Sequence, residues 1–308
     1  MEINLNKLGR EQIILFNQIY LNEKKSFINF LNNFYKKKNN LNLISPYLSR
    51  DNAVSILYLE ICNFKLVKKI INKDKNKFYK IISSNYFQYL FYKKNLKNDK
   101  IEIIYNKKKA EILKFYAKVI FRIFYIIIFS FFELINRSKE RIKKLKKLKN
   151  IVLVDTAFIE SMFVNDEFKD RFYGNLLDFS NNKNKIVFSP VNLMFQKISK
   201  SIRIIEKKKI DTLFRFDVLN LRDYLYALKF VIFYNKPKNI YKYSSIDISH
   251  LIHHDYINGI ANFNFFYGVL NFLFFKKLKN YNLNIKSIIH WCENQPADKG
   301  FIFGAKTF

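Results

Sequence analysis

Two hydrophobic periodicities alternate along the chain. Short, nearly unbroken apolar runs fall at 42–45, 78–83, 101–105, 151–155, 186–189 and 287–291, and read as strands buried on both faces. Between them lie longer stretches whose apolar positions recur every three or four residues. These predict helices over 10–35, 52–71, 108–149, 193–205, 211–234 and 246–279. The alternation predicts an α/β fold, a mainly parallel sheet flanked by helices, several of them long. Lys- and Asn-rich stretches at 36–40, 181–185 and 235–239 read as surface loops. No Gly/Ser- or Pro-rich linker and no internal repeat interrupts the pattern.

The most apolar stretch runs from Ile123 to Phe132, bordered by Lys118, Arg122 and Glu133. It falls short of the ~20 apolar residues that a spanning helix needs. On a helix, Lys118, Arg122, Tyr125 and Glu133 share one stripe of an otherwise apolar surface. The following segment, Arg137 to Lys149, is densely cationic, with Ile142, Leu145 and Leu148 on one face. An apolar helix followed by a polybasic one suits an anchor over 115–149 at an anionic membrane surface. A core helix ending in a solvated charged turn carries the same pattern.

Composition narrows the classes. With 308 residues and 49% hydrophobic content, the chain can build a sizeable core and is not a disordered polymer. The formal net charge of +30 points to an anionic partner. However, the excess lies in Lys rather than Arg, alongside abundant Asn, Ile, Phe and Tyr, the residues of A/T-rich codons. Dedicated phosphate readers favour the bidentate Arg, so nucleic acid is not the expected partner. Two cysteines, Cys62 and Cys292, form no framework and suit a reduced, cytoplasmic setting. The N-terminal residues lack the cationic and apolar regions of a cleaved leader. Walker, GxGxxG and GxSxG motifs are missing, which argues against P-loop enzymes, dinucleotide dehydrogenases and α/β-hydrolases.

In open α/β sheets, ligands collect at the carboxyl ends of strands. Polar loops follow three of the expected strands, at 46–52, at 155–156 with 166–174, and at 293–300. Glu293, just past a buried strand, has the placement of a general base, and the neighbouring amides Asn294 and Gln295 suit hydroxyl-rich ligands. The plainer reading is that one of these amides caps the helix opened by Pro296. Asp155 ends another strand and offers a second carboxylate, or a turn cap. Asp170, Arg171 and Tyr173 combine a carboxylate, a bidentate donor and an aromatic platform, suited to a sugar or phosphate, or equally to a simple ion pair. His250 and His254 are spaced to share a helix face, with His290 as a distant third imidazole. Leu251 stands where a zincin carries Glu, so no metal is assigned.

Three segments taken together resemble bacterial glycosyltransferases of capsule, lipopolysaccharide and O-antigen synthesis. They are Ile44-Ser-Pro-Tyr-Leu-Ser-Arg-Asp-Asn52 onward to Cys62, Val154-Asp-Thr-Ala-Phe158 with Phe168-Lys-Asp-Arg-Phe-Tyr-Gly174, and Trp291-Cys-Glu-Asn-Gln-Pro-Ala-Asp-Lys-Gly300. Ala53 and Ile56 depart from the family's prolines. The resemblance implies the N-terminal Rossmann-like half of a GT-B fold over 1–300, with 301–308 beginning a C-terminal half that is missing. It implies sugar transfer from a nucleotide-sugar donor to a lipid-linked glycan acceptor, without a metal cofactor, at the inner membrane face. The implied catalytic residues are Glu293 and Asp155. Substrate contacts fall to Arg50, Asp170, Arg171, Tyr173, Asn294, Gln295 and Lys299. The alternative suggested by charge and aromatic content is a basic RNA-associated protein without catalysis.

Overall fold

The computed structural model describes residues 1–36, 41–49, 54–105, 109–159, 162–164, 167–168, 173–174, 176, 184–190, 192–194, 198–234, 240–261, 263–291 and 295–308. In chain order the elements are β1 (Glu2–Asn4), α1 (Arg10–Lys36), α2 (Leu57–Lys73), β2 (Tyr79–Ile82), α3 (Tyr86–Asn95), β3 (Ile101–Ile104), α4 (Lys109–Ile135) and α5 (Lys139–Lys146). Next come β4 (Ile151–Val154), β5 (Ala157–Ile159), β6 (Phe163–Val164), β7 (Glu167–Phe168), β8 (Lys185–Phe188), β9 (Asn192–Met194), α6 (Ile198–Lys207), α7 (Arg215–Val218) and α8 (Leu221–Lys229). The last are β10 (Lys242–Tyr243), β11 (Ile246–Asp247), α9 (Ser249–Ala261), α10 (Asn264–Leu278), β12 (Ile285–Ile289) and α11 (Pro296–Ala305). The architecture is α/β, with small parallel sheets flanked by helices.

Packing divides the chain into two units, Met1–Arg122 with Asn235–Asn262, and Ile123–Tyr234 with Phe263–Phe308. In the first, β1, β2 and β3 form a parallel sheet in that order, with Ile3, Ile81 and Ile103 in register. Ile3 and Ile81 are fully buried. Tyr58 of α2 is clasped by Tyr20 and Phe27 of α1, with ring centroids at 4.6 and 4.8 Å. Gly259 of α9 lies against the short 3-10 helix Pro46–Leu48; a Cβ there would stand 2.0 Å from Pro46 Cγ, so only glycine permits the contact. Asp255, fully buried, accepts from Ser55 Oγ at 2.5 Å and from the Ile56 amide at 3.1 Å, and so anchors the start of α2.

In the second unit, β12, β4 and β8 form a parallel sheet in that order, and Ile289, Val154 and Phe188 share a register. Ile151, Leu153 and Val154 are buried, as the uninterrupted apolar run requires. The end of α4 is pinned by a buried ion pair between Glu133 and Arg215 of α7, and Tyr224 donates to Glu133 at 2.7 Å. The Arg215 guanidinium also lies 4.1 Å from the Tyr267 ring centroid.

Five expected elements change form, among them the helix expected over 211–234, which breaks between α7 and α8 at the Asn220 N-cap. The run at 42–45 is a 3-10 turn (Asn42–Ile44) rather than a strand, because Pro46 opens a second 3-10 turn immediately after it. The helix expected over 108–149 breaks into α4 and α5, where the Ser138 hydroxyl accepts from the Arg141 amide. That expected over 193–205 opens with strand β9, paired to β5, before α6 begins. The one expected over 246–279 is interrupted at Phe263, whose φ is +60°. Among the described residues, no single helix is long and apolar enough to cross a membrane.

Candidate active site

The apolar runs of β4 and β12 end on Asp155 and His290, side by side at the carboxyl edge of the second unit's sheet. Parallel pairing brings the two ends together, since the Asp155 amide donates to the Ile289 carbonyl at 2.8 Å. The Asp155 carboxylate is hydrogen-bonded to Nδ1 of His290 across 135 residues of chain. Both side chains are nearly enclosed, at 5% and 10% exposure. Phe301 of α11 stacks on the imidazole at 4.6 Å, within 14° of parallel, and fixes the plane of the ring.

The pairing sets the tautomer. A carboxylate only accepts, so Nδ1 of His290 carries the proton and Nε2 presents its lone pair. Among the described residues, no group hydrogen-bonds this buried Nε2. Asp298 Oδ1 lies 4.0 Å from it, beyond hydrogen-bond range. A positive charge formed on the ring would therefore sit between two carboxylates. The arrangement is that of a general base oriented by an acid residue. A groove of about 440 Å³ has His290 on its wall, between β12 and α11, with Phe301, Ile302 and Lys306 along it.

Gln295 takes the N-cap position of α11, with Pro296 in its first turn. Its amide donates to Asp298 Oδ2 at 3.0 Å, and its side-chain oxygen accepts from Asn264 at 3.0 Å. The capping expectation for this cluster is met at Gln295. Lys299 is buried within α11, at 7% exposure. Tyr173 is half-buried, beside Gly174 at φ +57°. Glu293, Asn294, Arg50, Asp170 and Arg171 lie outside the described residues. Of the three polar loops, 46–49 belongs to the first unit, whereas Asp155 and Gln295 belong to the second.

His290 is the residue that sequence reasoning passed over as a base. The sequence pattern puts it inside a strand over 287–291 and offers it only as a distant metal ligand. The signal that marks it is its position directly after the apolar run Ile288-Ile289, matching Asp155 after Leu153-Val154. The other histidine pairing stands in the first unit, where His254 Nδ1 lies 3.3 Å from Asp255 Oδ1 and its ring stacks on Phe115. Among the described residues, no three His, Cys, Asp or Glu side chains gather as metal ligands. No family model, curated protein sequence or solved structure matches the chain.

Proposed function

We propose that this chain acts in surface-polysaccharide synthesis, transferring a sugar from a nucleotide-sugar donor to a hydroxyl of a lipid-linked glycan acceptor. In this reading, the second unit is the Rossmann-like half of a GT-B-type fold. The observation that carries it is the Asp155–His290 pair at the carboxyl ends of two adjacent parallel strands, its buried Nε2 without a hydrogen-bond partner among the described residues.

Glycosyl transfer to an alcohol requires that the attacking hydroxyl lose its proton as the glycosidic bond forms. His290 Nε2 takes that proton, and Asp155 holds the ring in the accepting tautomer and balances the imidazolium. The donor's anomeric carbon gains the acceptor oxygen, and the nucleotide departs with the electron pair of the broken bond. Gln295 and Tyr173, with Glu293, Asn294, Asp170 and Arg171, are the proposed sugar and phosphate contacts.

The test is replacement of the chromosomal gene by His290→Gln or Asp155→Asn versions, with surface glycan read by gel electrophoresis. Loss of a general base lowers the transfer rate by about 10²–10⁴-fold, so both variants lose most of the polymer at unchanged protein level. Wild-type glycan in the His290→Gln strain removes the assignment.

A further inference from the structure

From Leu113 to Ile135, α4 leaves eleven large apolar side chains exposed, including Ile120 at 55%, Phe124 at 61%, Ile128 at 55%, Phe131 at 63% and Ile135 at 61%. At ~100° per residue, all eleven fall within an arc of about 180°. Val119, Ile126, Ser130 and Glu133 occupy the opposite side and are buried. Soluble surfaces seldom leave so continuous an apolar stripe in water.

Two features say what covers it. Immediately after the stripe come six exposed lysines, Lys139, Lys143, Lys144, Lys146, Lys147 and Lys149, on and just beyond α5. An apolar face running into a cationic cluster is complementary to a bilayer with anionic headgroups, apolar residues in the acyl boundary and ammonium groups at the phosphates. The second feature is that the joint is bent and hydrogen-bonded to a buried carboxylate. α4 and α5 meet at 56°. Buried Asp217 holds that bend, accepting from the Ser138 amide at 2.9 Å and from Arg141 Nη2 at 2.7 Å. The inward side of α4 is held in turn by the Glu133–Arg215 pair. With one side committed to protein and the joint bent, the helix offers lipid only its outer face.

We propose that α4 lies in the plane of an anionic membrane surface, its Leu113–Ile135 face buried at the acyl boundary and the lysines of 139–149 on the headgroups. This docking stands independently of the chemistry assigned to Asp155 and His290.

The full chain is mixed with phosphatidylcholine vesicles, with and without phosphatidylglycerol, and floated on a density gradient at about 0.1 M salt. Wild-type protein should float with the anionic vesicles and remain below with the neutral ones. Phe124→Glu with Ile128→Glu should reduce the partition coefficient by about tenfold or more. Lys146→Gln, Lys147→Gln and Lys149→Gln together, on exposed positions that leave the apolar face intact, should reduce it by about a hundredfold. Circular dichroism checks that each variant keeps its helices. The proposal is overturned if wild type stays unbound, or if either folded variant floats as wild type does. It is also overturned if wild type does not float but forms a dimer that the glutamate variant breaks, since α4 is then covered by a second copy. Failure to float together with tight, salt-sensitive binding to RNA overturns it in favour of a nucleic-acid surface.

Discussion

A buried carboxylate persists where a cation neutralises it or several donors solvate it, and this chain uses both solutions. Asp217 has Arg141, Glu133 has Arg215, and Asp155 has an imidazole N–H. Glu60 differs. It is 5% exposed and accepts from the neutral Gln88 amide at 2.6 Å, and burial pushes its carboxyl above the usual range. The folded state therefore holds this proton more tightly than the unfolded chain. The stability it contributes is full below about pH 4 and is lost as pH rises through the raised folded value. Glu60→Gln keeps an acceptor without the charge, so its melting temperature should gain on wild type from about pH 4 upward, until pH passes the raised folded value. A difference that is flat or shrinking with pH would contradict the burial of an ionising Glu60. Asp155 was legible in the sequence as a polar residue closing an apolar run. His290 closes a run in the same way, but its role depends on a partner 135 residues away, which no local pattern reveals.

Among elements, the contact of α10 with α11 decides where Asp298 and Phe301 stand relative to His290. The two helices meet backbone to backbone, and a Cβ on Gly300 would lie 1.8 Å from the Gly268 carbonyl oxygen. Gly300→Ala should therefore cost about 1–3 kcal/mol or more and lower the melting temperature by several degrees. An unchanged melting temperature would contradict the contact. The Asp298-Lys299-Gly300 segment thus has packing work that its sequence reading as a substrate loop does not include: a cap, a buried stem and a helix crossing. Strands 151–155 and 186–189 were legible because a buried parallel strand is a plain apolar run; 78–83 and 101–105 were legible from their Ile-rich runs, although Lys80 and Glu102 are exposed in the middle of β2 and β3. The short strand β1 was not, because three residues with one buried Ile3 carry too little pattern. Helix α3 left a readable mark, Asn85 accepting from the Gln88 amide at 2.8 Å, the spacing of an N-cap. The overlong helices failed for a common reason. Apolar periodicity continues across a break when both flanking helices bury a face, and only the caps at Ser138, Asn220 and Phe263 locate the interruption.

At the scale of the whole molecule, each unit is assembled from stretches far apart in sequence, and the division falls inside α4. Domain boundaries are usually sought as polar or glycine-rich linkers; a boundary inside a helix leaves no such trace. Six exposed lysines on and just beyond α5, a small part of the net charge of +30, follow the exposed face of α4. The second unit carries both that cationic helix and the Asp155–His290 pair. The pair is the central claim, and the tautomer of His290 tests it most directly. In the full chain labelled with nitrogen-15 on histidine, two-dimensional NMR at neutral pH should assign the proton to Nδ1, with a strongly downfield Nδ1–H signal that disappears in Asp155→Asn. An Nε2-protonated His290, or a spectrum that Asp155→Asn leaves unchanged, would contradict the account.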